Sequence, residues 1–453
     1  MGLTVSRSHD VQMTSGSLFK NVLAFTVPLI LSGMLQLLYN SADIIVVGRF
    51  ADSLAMAAVG STTSLIHLMV SLLMGLSVGS SVAVARAAGA KDDAAIHRAV
   101  HTSIALALVS GFALGAAIWF FSRSLLELMG CPDNVIEGAA LYLKIYAVGL
   151  PASMIYNFGS AILRSVGDTR RPLYFLTLSG IVNIILNVLL VAGFKMSVAG
   201  VAIATVVSEA LSCLLVLFCL IHSHDAIRYE PKKTRIYGKS LALILRIGLP
   251  AGLQSSMFSI ANALIQSAIN SFGAAAIAGN TAASSIEGIA TTLSTALSQA
   301  ALTFSSQNMG AGKYTRMRRV LTVCLATAFF GGLGMGLLIY AFGTPLLSLF
   351  NTDPDVIACG LVRICHNMPP YVLYCLQDTF VGQLRGIGYS LLPTITSLSG
   401  ICLLRLIWLY SVFSASPTLD TLYLSYPVSW TVTLTALIIC YAVVIRKIPK
   451  GDA

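Results

Sequence analysis

The segment Leu163-Arg164-Ser165-Val166-Gly167 returns about 221 residues later as Leu384-Arg385-Gly386-Ile387-Gly388. The same offset carries Leu125-Leu126-Glu127-Leu128 onto Leu346-Leu347-Ser348-Leu349, Pro172 onto Pro393, and Gly89-Ala90 onto Gly310-Ala311. Pro28 aligns with Pro250, and Leu178-Ser179-Gly180 with Leu398-Ser399-Gly400, each within a residue of that offset. The pattern is an internal duplication. It predicts two halves, residues 1–223 and 240–453, joined by a polar linker at 224–239.

The sequence between these anchors is apolar. Hydrophobic residues make up 56% of the 453 positions and charged residues 10%. A soluble domain carries about 25% charged residues, so this chain cannot coat a globular surface. The composition excludes a soluble enzyme, a disordered scaffold and a nucleic-acid module. Crossing a bilayer takes about 20 apolar residues. Twelve stretches qualify: 18–48, 53–84, 95–121, 135–163, 173–193 and 198–222, then 240–271, 274–305, 320–349, 356–384, 391–413 and 422–444. The expected fold is an all-α polytopic membrane protein with twelve transmembrane helices in two pseudo-symmetric six-helix bundles. Six is even, so both bundles insert with the same orientation about an axis along the membrane normal.

Charge supports the same count independently. Of 28 Lys and Arg residues, 21 fall on the side of the N-terminus when loops alternate, and three (Arg49, Arg123, Lys195) on the other. Positive charge marks the cytoplasmic face. Both termini are therefore expected in the cytoplasm and the protein in the plasma (inner) membrane. The split also accounts for the net charge of +10 without a nucleic-acid partner.

The nine cysteines form no CxxC pair and read as small buried apolar residues. Met1-Gly2 with Ser6 matches a myristoylation pattern only loosely. Gly238-Lys239-Ser240 resembles the end of a phosphate-binding loop, but Lys233 occupies the position where the upstream glycine is required. With no nucleotide domain, a twelve-span duplicated protein is read as a transporter driven by an ion gradient, a potential or the substrate's own gradient. Rocking of two such bundles gives alternating access.

Ionisable groups at membrane depth are costly, by at least about 2.5 kcal/mol on insertion scales, and point to function. Four carboxylates qualify: Asp43, Glu209, Glu287 and Asp378. Asp43 follows Tyr39 and Asn40 in a first span that Pro28 should kink, which makes Pro28 a candidate hinge. Asn183 and Asn187 share one face of span five, with Asn157 and Thr205 on spans four and six. Interhelical hydrogen-bonding alone is the plainer reading of that set. Glu287, Asp378 and Gln254 are candidates for lining a substrate cleft. Glu209 is expected in a structural pair, with Arg246 or Arg405 as partner. His67 and His366 read as core or cleft residues rather than metal ligands. Gly75-Leu76-Ser77-Val78-Gly79 reads as close helix packing.

Together, the stretch from Pro28 to Asp43, the segment from Leu163 to Thr169, the run from Asn183 to Asn187, Gly200-Val201-Ala202-Ile203-Ala204-Thr205 and the repeated Leu384-Arg385-Gly386 resemble the multidrug and toxic compound extrusion (MATE) family over nearly the whole chain. The likeness is to its first-lobe-aspartate (DinF-like) branch. It implies two lobes around a V-shaped cavity and export of small amphipathic or cationic compounds by antiport with H+ or Na+. It implies that Asp43 couples the ion, with Tyr39, Asn157, Asn183, Asn187 and Thr205 around it. Asn187 stands where that branch often has a second aspartate, which leaves a single carboxylate for one proton or one Na+. Asp378 lies in the helix that the other branch uses, about a turn from the matching position. The resemblance further implies a monomer with no cofactor beyond the coupling ion, and no metal beyond a Na+ at Asp43. A lipid-linked saccharide flippase of the same superfamily is the alternative, disfavoured by the few cations in the spans. A membrane-embedded transferase would need an Asp-rich or His/Asp motif, which Asp92-Asp93 and Asp353-Pro354-Asp355 do not supply. The expectation is thus a transporter and not an enzyme.

Overall fold

Hydrocarbon offers no hydrogen-bond partners, so an apolar chain must satisfy its backbone within helices. The computed structural model describes residues 11–50 and 53–452, apart from the side chains at 40, 44, 45, 47, 53, 55 and 64. Met1, Gly2, Ser6 and the Asn40 side chain lie outside the described residues. The described chain is helical without a strand. Its first half contains α1 (Leu18–Phe50), α2 (Ser53–Gly89), α3 (Asp93–Leu128), α4 (Asp133–Ser165), α5 (Arg170–Asn187) and α6 (Ser197–Ile221). The second contains α7 (Gly238–Asn270), α8 (Ala274–Gly310), α9 (Tyr314–Ala341), α10 (Gly343–Ser348), α11 (Pro354–Asn367), α12 (Tyr371–Gly386), α13 (Leu391–Ser397), α14 (Leu404–Trp408) and α15 (Leu419–Ile445).

Ten of the described helical stretches are long and apolar enough to cross a membrane, and α11 with α12 makes an eleventh. The twelfth is α8, 37 residues long, whose apolarity is diluted by Ser, Thr, Asn and Gln. Its Ala300, Ala301 and Phe304 are fully buried, and it packs against α9, α11 and α12. A helix so surrounded by protein can carry polar groups that lipid would reject. The fold is therefore a polytopic bundle protein of twelve spans in two six-helix bundles. Residues 356–384, expected as one span, instead form two helices bent by 54°. Pro369 and Pro370 remove two backbone donors at that break.

The duplication extends to irregular backbone. After Asn187, α5 runs on as a π-helical segment, Val188–Gly193. At the repeat-related place α14 gives way to Leu409–Phe413, also π-helical. A further π-helical segment, Leu398–Leu403, precedes α14. Gly167 and Gly388, the last residues of the repeated motif, both take positive φ, 106° and 101°. Only glycine enters that region without strain.

The described residues cluster into two compact units, 31–252 with Val11, and 12–30 with 253–452. The chain passes between units inside α1 and inside α7, in each case two residues after the internal proline, Pro28 or Pro250. In the first unit, α4 packs against α2, α3 and α6. Its buried face there includes Leu143, Leu150, Met154, Phe158 and Ile162. The expected small-residue packing of α2 is met by α7. A Cβ on Gly75 would lie 2.1 Å from the Gly252 nitrogen, and one on Gly79 2.2 Å from the Ile244 oxygen. In the second unit, Arg316 of α9 donates to the carbonyls of Met13, Ser15 and Gly16 at 3.2, 2.7 and 3.0 Å.

The linker is pinned within the first unit. His101 Nδ1 donates to the His97 carbonyl at 2.9 Å, which leaves Nε2 to accept from the Glu230 amide at 3.2 Å. The Tyr237 amide donates to Thr102 Oγ1 at 3.1 Å. Glu230 pairs with Lys233 at 2.8 Å, and that hydrogen bond lowers its carboxyl pKa. Thr102→Val keeps shape and removes the acceptor of a part-buried amide, which should cost about 1 kcal/mol. The measurement is limited trypsin cleavage at Lys232 and Lys233 in the purified protein. Cleavage should be several-fold faster in the variant, and an unchanged rate would refute the pinning.

Candidate functional site

The polar residues of spans one, five and six meet in the first unit. Asn187 Nδ2 donates to Asp43 Oδ1 at 2.5 Å and to Asn183 Oδ1 at 3.1 Å. Asn183 Nδ2 donates to Ser208 Oγ at 3.4 Å, and Ser208 Oγ donates to the Thr205 carbonyl at 2.8 Å. Asn183, Asn187 and Ser208 are buried, and Asp43 is half-buried. No cation pairs with Asp43 among the described residues. Asn187 Oδ1 is buried without a hydrogen bond, so the pair retains an unused acceptor. The helical spacing of Asn183 and Asn187 places both amides on α5 toward α1 and α6.

Tyr39 lies one turn before Asp43 and fixes this face. Its hydroxyl donates to the carbonyls of Leu176 and Thr177 at 3.1 and 3.3 Å. Its ring occupies the space where a side chain on residue 180 would stand: a Cβ on Gly180 would lie 1.7 Å from Tyr39 Cζ. Gly180 and Ser208 were missed from sequence. The repeat of Leu178-Ser179-Gly180 was the available signal for the first, and a serine one turn from Thr205 for the second. Asn157 and Thr205 bond within their own helices, to the Ser153 and Val201 carbonyls at 2.9 and 3.0 Å. Pro28 lies inside α1, whose helix continues through it.

Among the described residues Glu209 forms no ion pair with Arg246, the expected partner within its own unit. It interacts with Ser153, and its Oε2 has no hydrogen bond. That oxygen would be 3.2 Å from a Cβ on Gly149. Spacing along a chain gives depth in the membrane but not which helices face each other.

The second unit holds a different constellation. Arg363 Nε and Nη2 grip Glu287 at 3.0 and 2.6 Å, and Asn367 Nδ2 adds a bond to the same carboxylate at 3.0 Å. Arg363 Nη1 donates to Asn280 Oδ1 at 2.5 Å, which also accepts from the Tyr423 hydroxyl at 3.1 Å. Glu287 is thus neutralised by a bidentate partner. Asp378 accepts from Ser294 at 3.1 Å, and Gln254 accepts from Arg385 at 3.0 Å. Ser305 also bonds Gln383 in this region.

Arg405 contrasts with Arg363. It is 6% exposed, its Nε donates to Ser429 Oγ at 3.0 Å, and its guanidinium lies 3.9 Å from the Tyr426 ring centroid. No carboxylate pairs with it among the described residues. A desolvated cation–π contact gives about 2 kcal/mol, against several kcal/mol for burying an ion.

Two variants test these placements by thermal unfolding in detergent. Gly180→Leu should lose stability by about 1–3 kcal/mol, as overpacked sites do, and Tyr39→Ala in the same chain should restore most of it. Equal destabilisation with and without Tyr39 would refute the contact. Glu287→Gln strands a buried cation and should cost about 3–5 kcal/mol, with most of that recovered in Glu287→Gln/Arg363→Met.

The chain also resembles known proteins. A family model described as MatE matches residues 28–189 and again 250–411, the two halves of the repeat. The probable multidrug resistance protein YpnP of Bacillus subtilis is 29% identical over 77% of this chain and 78% of its own length. The probable multidrug resistance protein YoeA of the same organism is 28% identical over 85% of each chain. Among solved structures, the outward-facing conformation of a multidrug resistance MATE family transporter superposes with a TM-score of 0.91 at 22% identity, covering 98% of this chain and 99% of that one. Two matches of one model to the duplicated halves, on a fold of twelve spans, establish that the chain belongs to the MatE family of multi-pass membrane transporters.

Proposed function

We propose that the protein exports amphipathic small molecules, cationic ones among them, in exchange for H+ or Na+, and that Asp43 is the coupling group. The observation that carries this reading is the Asp43–Asn187 pair, a carboxylate in an apolar span with an amide as its bonded partner and no cation among the described residues. A proton would neutralise Asp43 directly. A sodium ion would find the Asp43 carboxylate and the unused Asn187 oxygen, a hard-oxygen donor set suited to such a cation. The names of the Bacillus relatives support multidrug transport as the activity. The distribution of Lys and Arg supports a plasma-membrane location with both termini in the cytoplasm.

The coupling works through differential affinity. Neutralising Asp43 removes the cost of an ion at membrane depth, which favours a state where α1 bends at Pro28 and closes on α5 and α6. Release of the ion on the opposite side favours the open state that takes up substrate. Exchange follows because ion and substrate prefer different states.

Cationic-dye efflux from proteoliposomes tests this reading, with a pH gradient and a Na+ gradient imposed separately. One gradient should drive export, and Asp43→Asn should reduce the driven rate at least tenfold. Driven export that persists in Asp43→Asn would refute the assignment of Asp43. Equal export with no ion gradient would refute antiport.

A further inference from the structure

Within the second unit lies a cavity of about 360 Å³, inside the range of small-molecule sites, about 300–1,000 Å³. Its wall is aromatic: Tyr371, Tyr374, Tyr426 and Trp430 pack edge-on or tilted, with ring centroids 5.5–6.0 Å apart. Arg363, Glu287 and Arg405 also line it. Two of those charges cancel, since Arg363 and Glu287 form the bidentate pair. Arg405 remains as the net charge of the chamber.

We propose that this cavity is a binding subsite for planar aromatic anions, with Arg405 as the residue that receives the carboxylate or phosphate group. One face of the guanidinium is covered by Tyr426, and Nε is held by Ser429. These contacts fix the plane of the fork, and neither supplies negative charge. An anion in the cavity would complete a charge-assisted pair in a low-dielectric site, where such pairs are strongest. The ring of the guest would lie against Tyr374 and Trp430, where apolar area and ring-edge contacts hold it. The Arg363–Glu287 pair bars a cationic guest from Glu287, because binding there would require breaking two hydrogen bonds to arginine.

This proposal goes beyond the export reading and does not depend on it. Binding to the second unit needs no ion gradient and no contribution from Asp43. The backbone also favours a site here: α14, five residues long, carries Arg405 between two π-helical segments, and such segments are common at functional sites.

The test is equilibrium binding of tritiated 2-naphthoate to the full chain in detergent, alongside the uncharged 2-naphthamide and the cationic 2-naphthylmethylammonium. Naphthoate should bind saturably and at least tenfold more tightly than naphthamide, and the ammonium analogue more weakly still. Arg405→Gln should remove the preference for naphthoate over naphthamide, read as the ratio of the two affinities in that variant. Arg405→Lys should restore part of it. Equal binding of naphthoate and naphthamide to the unaltered chain would overturn the proposal without recourse to any variant. Tighter binding of the ammonium analogue would also overturn it, as would displacement by short-chain phosphatidate at lower concentration than naphthoate, which would make the guest a lipid anion rather than an aromatic one.

Discussion

In the hydrocarbon layer a polar group has only other protein atoms to bond with, and nearly every feature of this molecule answers to that constraint. The backbone is satisfied by helices. At the bend between α11 and α12, protein surrounds the break: Asn367, Met368 and Tyr371 are buried. Polar side chains follow the same rule. Many serines and threonines return their hydroxyl to a carbonyl three or four residues back on their own helix, as Thr205 and Ser208 do. Amides and charges such as Asn187 with Asp43 and Arg363 with Glu287 meet instead between helices.

The duplication preserved the frame and let the chemistry diverge. The position of Asp43 in the first half corresponds to Ile265 in the second, and Tyr142 corresponds to Arg363. The first unit therefore presents carboxylates, Asp43 and Glu209, without a paired cation. The second engages Glu287 with Arg363, sets Asp378 near Arg385 and holds Arg405 against Tyr426. The two repeat-related frames thus carry their charges at different positions.

Much of the frame was legible in the sequence. Hydropathy and the placement of Lys and Arg fixed the number of spans, and even α8 was counted despite its polar content. The shared face of Asn183 and Asn187 follows from helical spacing alone. What could not be read was which distant residues meet. Nothing local to Gly180 says that Tyr39 will lie over it, and nothing local to Glu209 excludes an arginine. The bend before Tyr371 was available in Met368-Pro369-Pro370, but a continuous apolar run masked it. Arg405 was read as a possible partner for a carboxylate, and only the packing of Tyr426 and Ser429 around it shows that it has none.

The passage of the chain between units two residues beyond Pro28 and Pro250 has a genetic corollary. Neither unit is encoded by a contiguous half of the gene. Residues 12–30 complete the second unit from the far end of the message, and residues 240–252 complete the first from beyond the linker. Cutting the coding sequence at the linker yields two fragments that each lack part of their own core. During synthesis, the first unit waits for the start of α7 to emerge. The opening of α1 must wait longer, until the partners of Phe25, Met13 and Ser15 on α8 and α9 have been made.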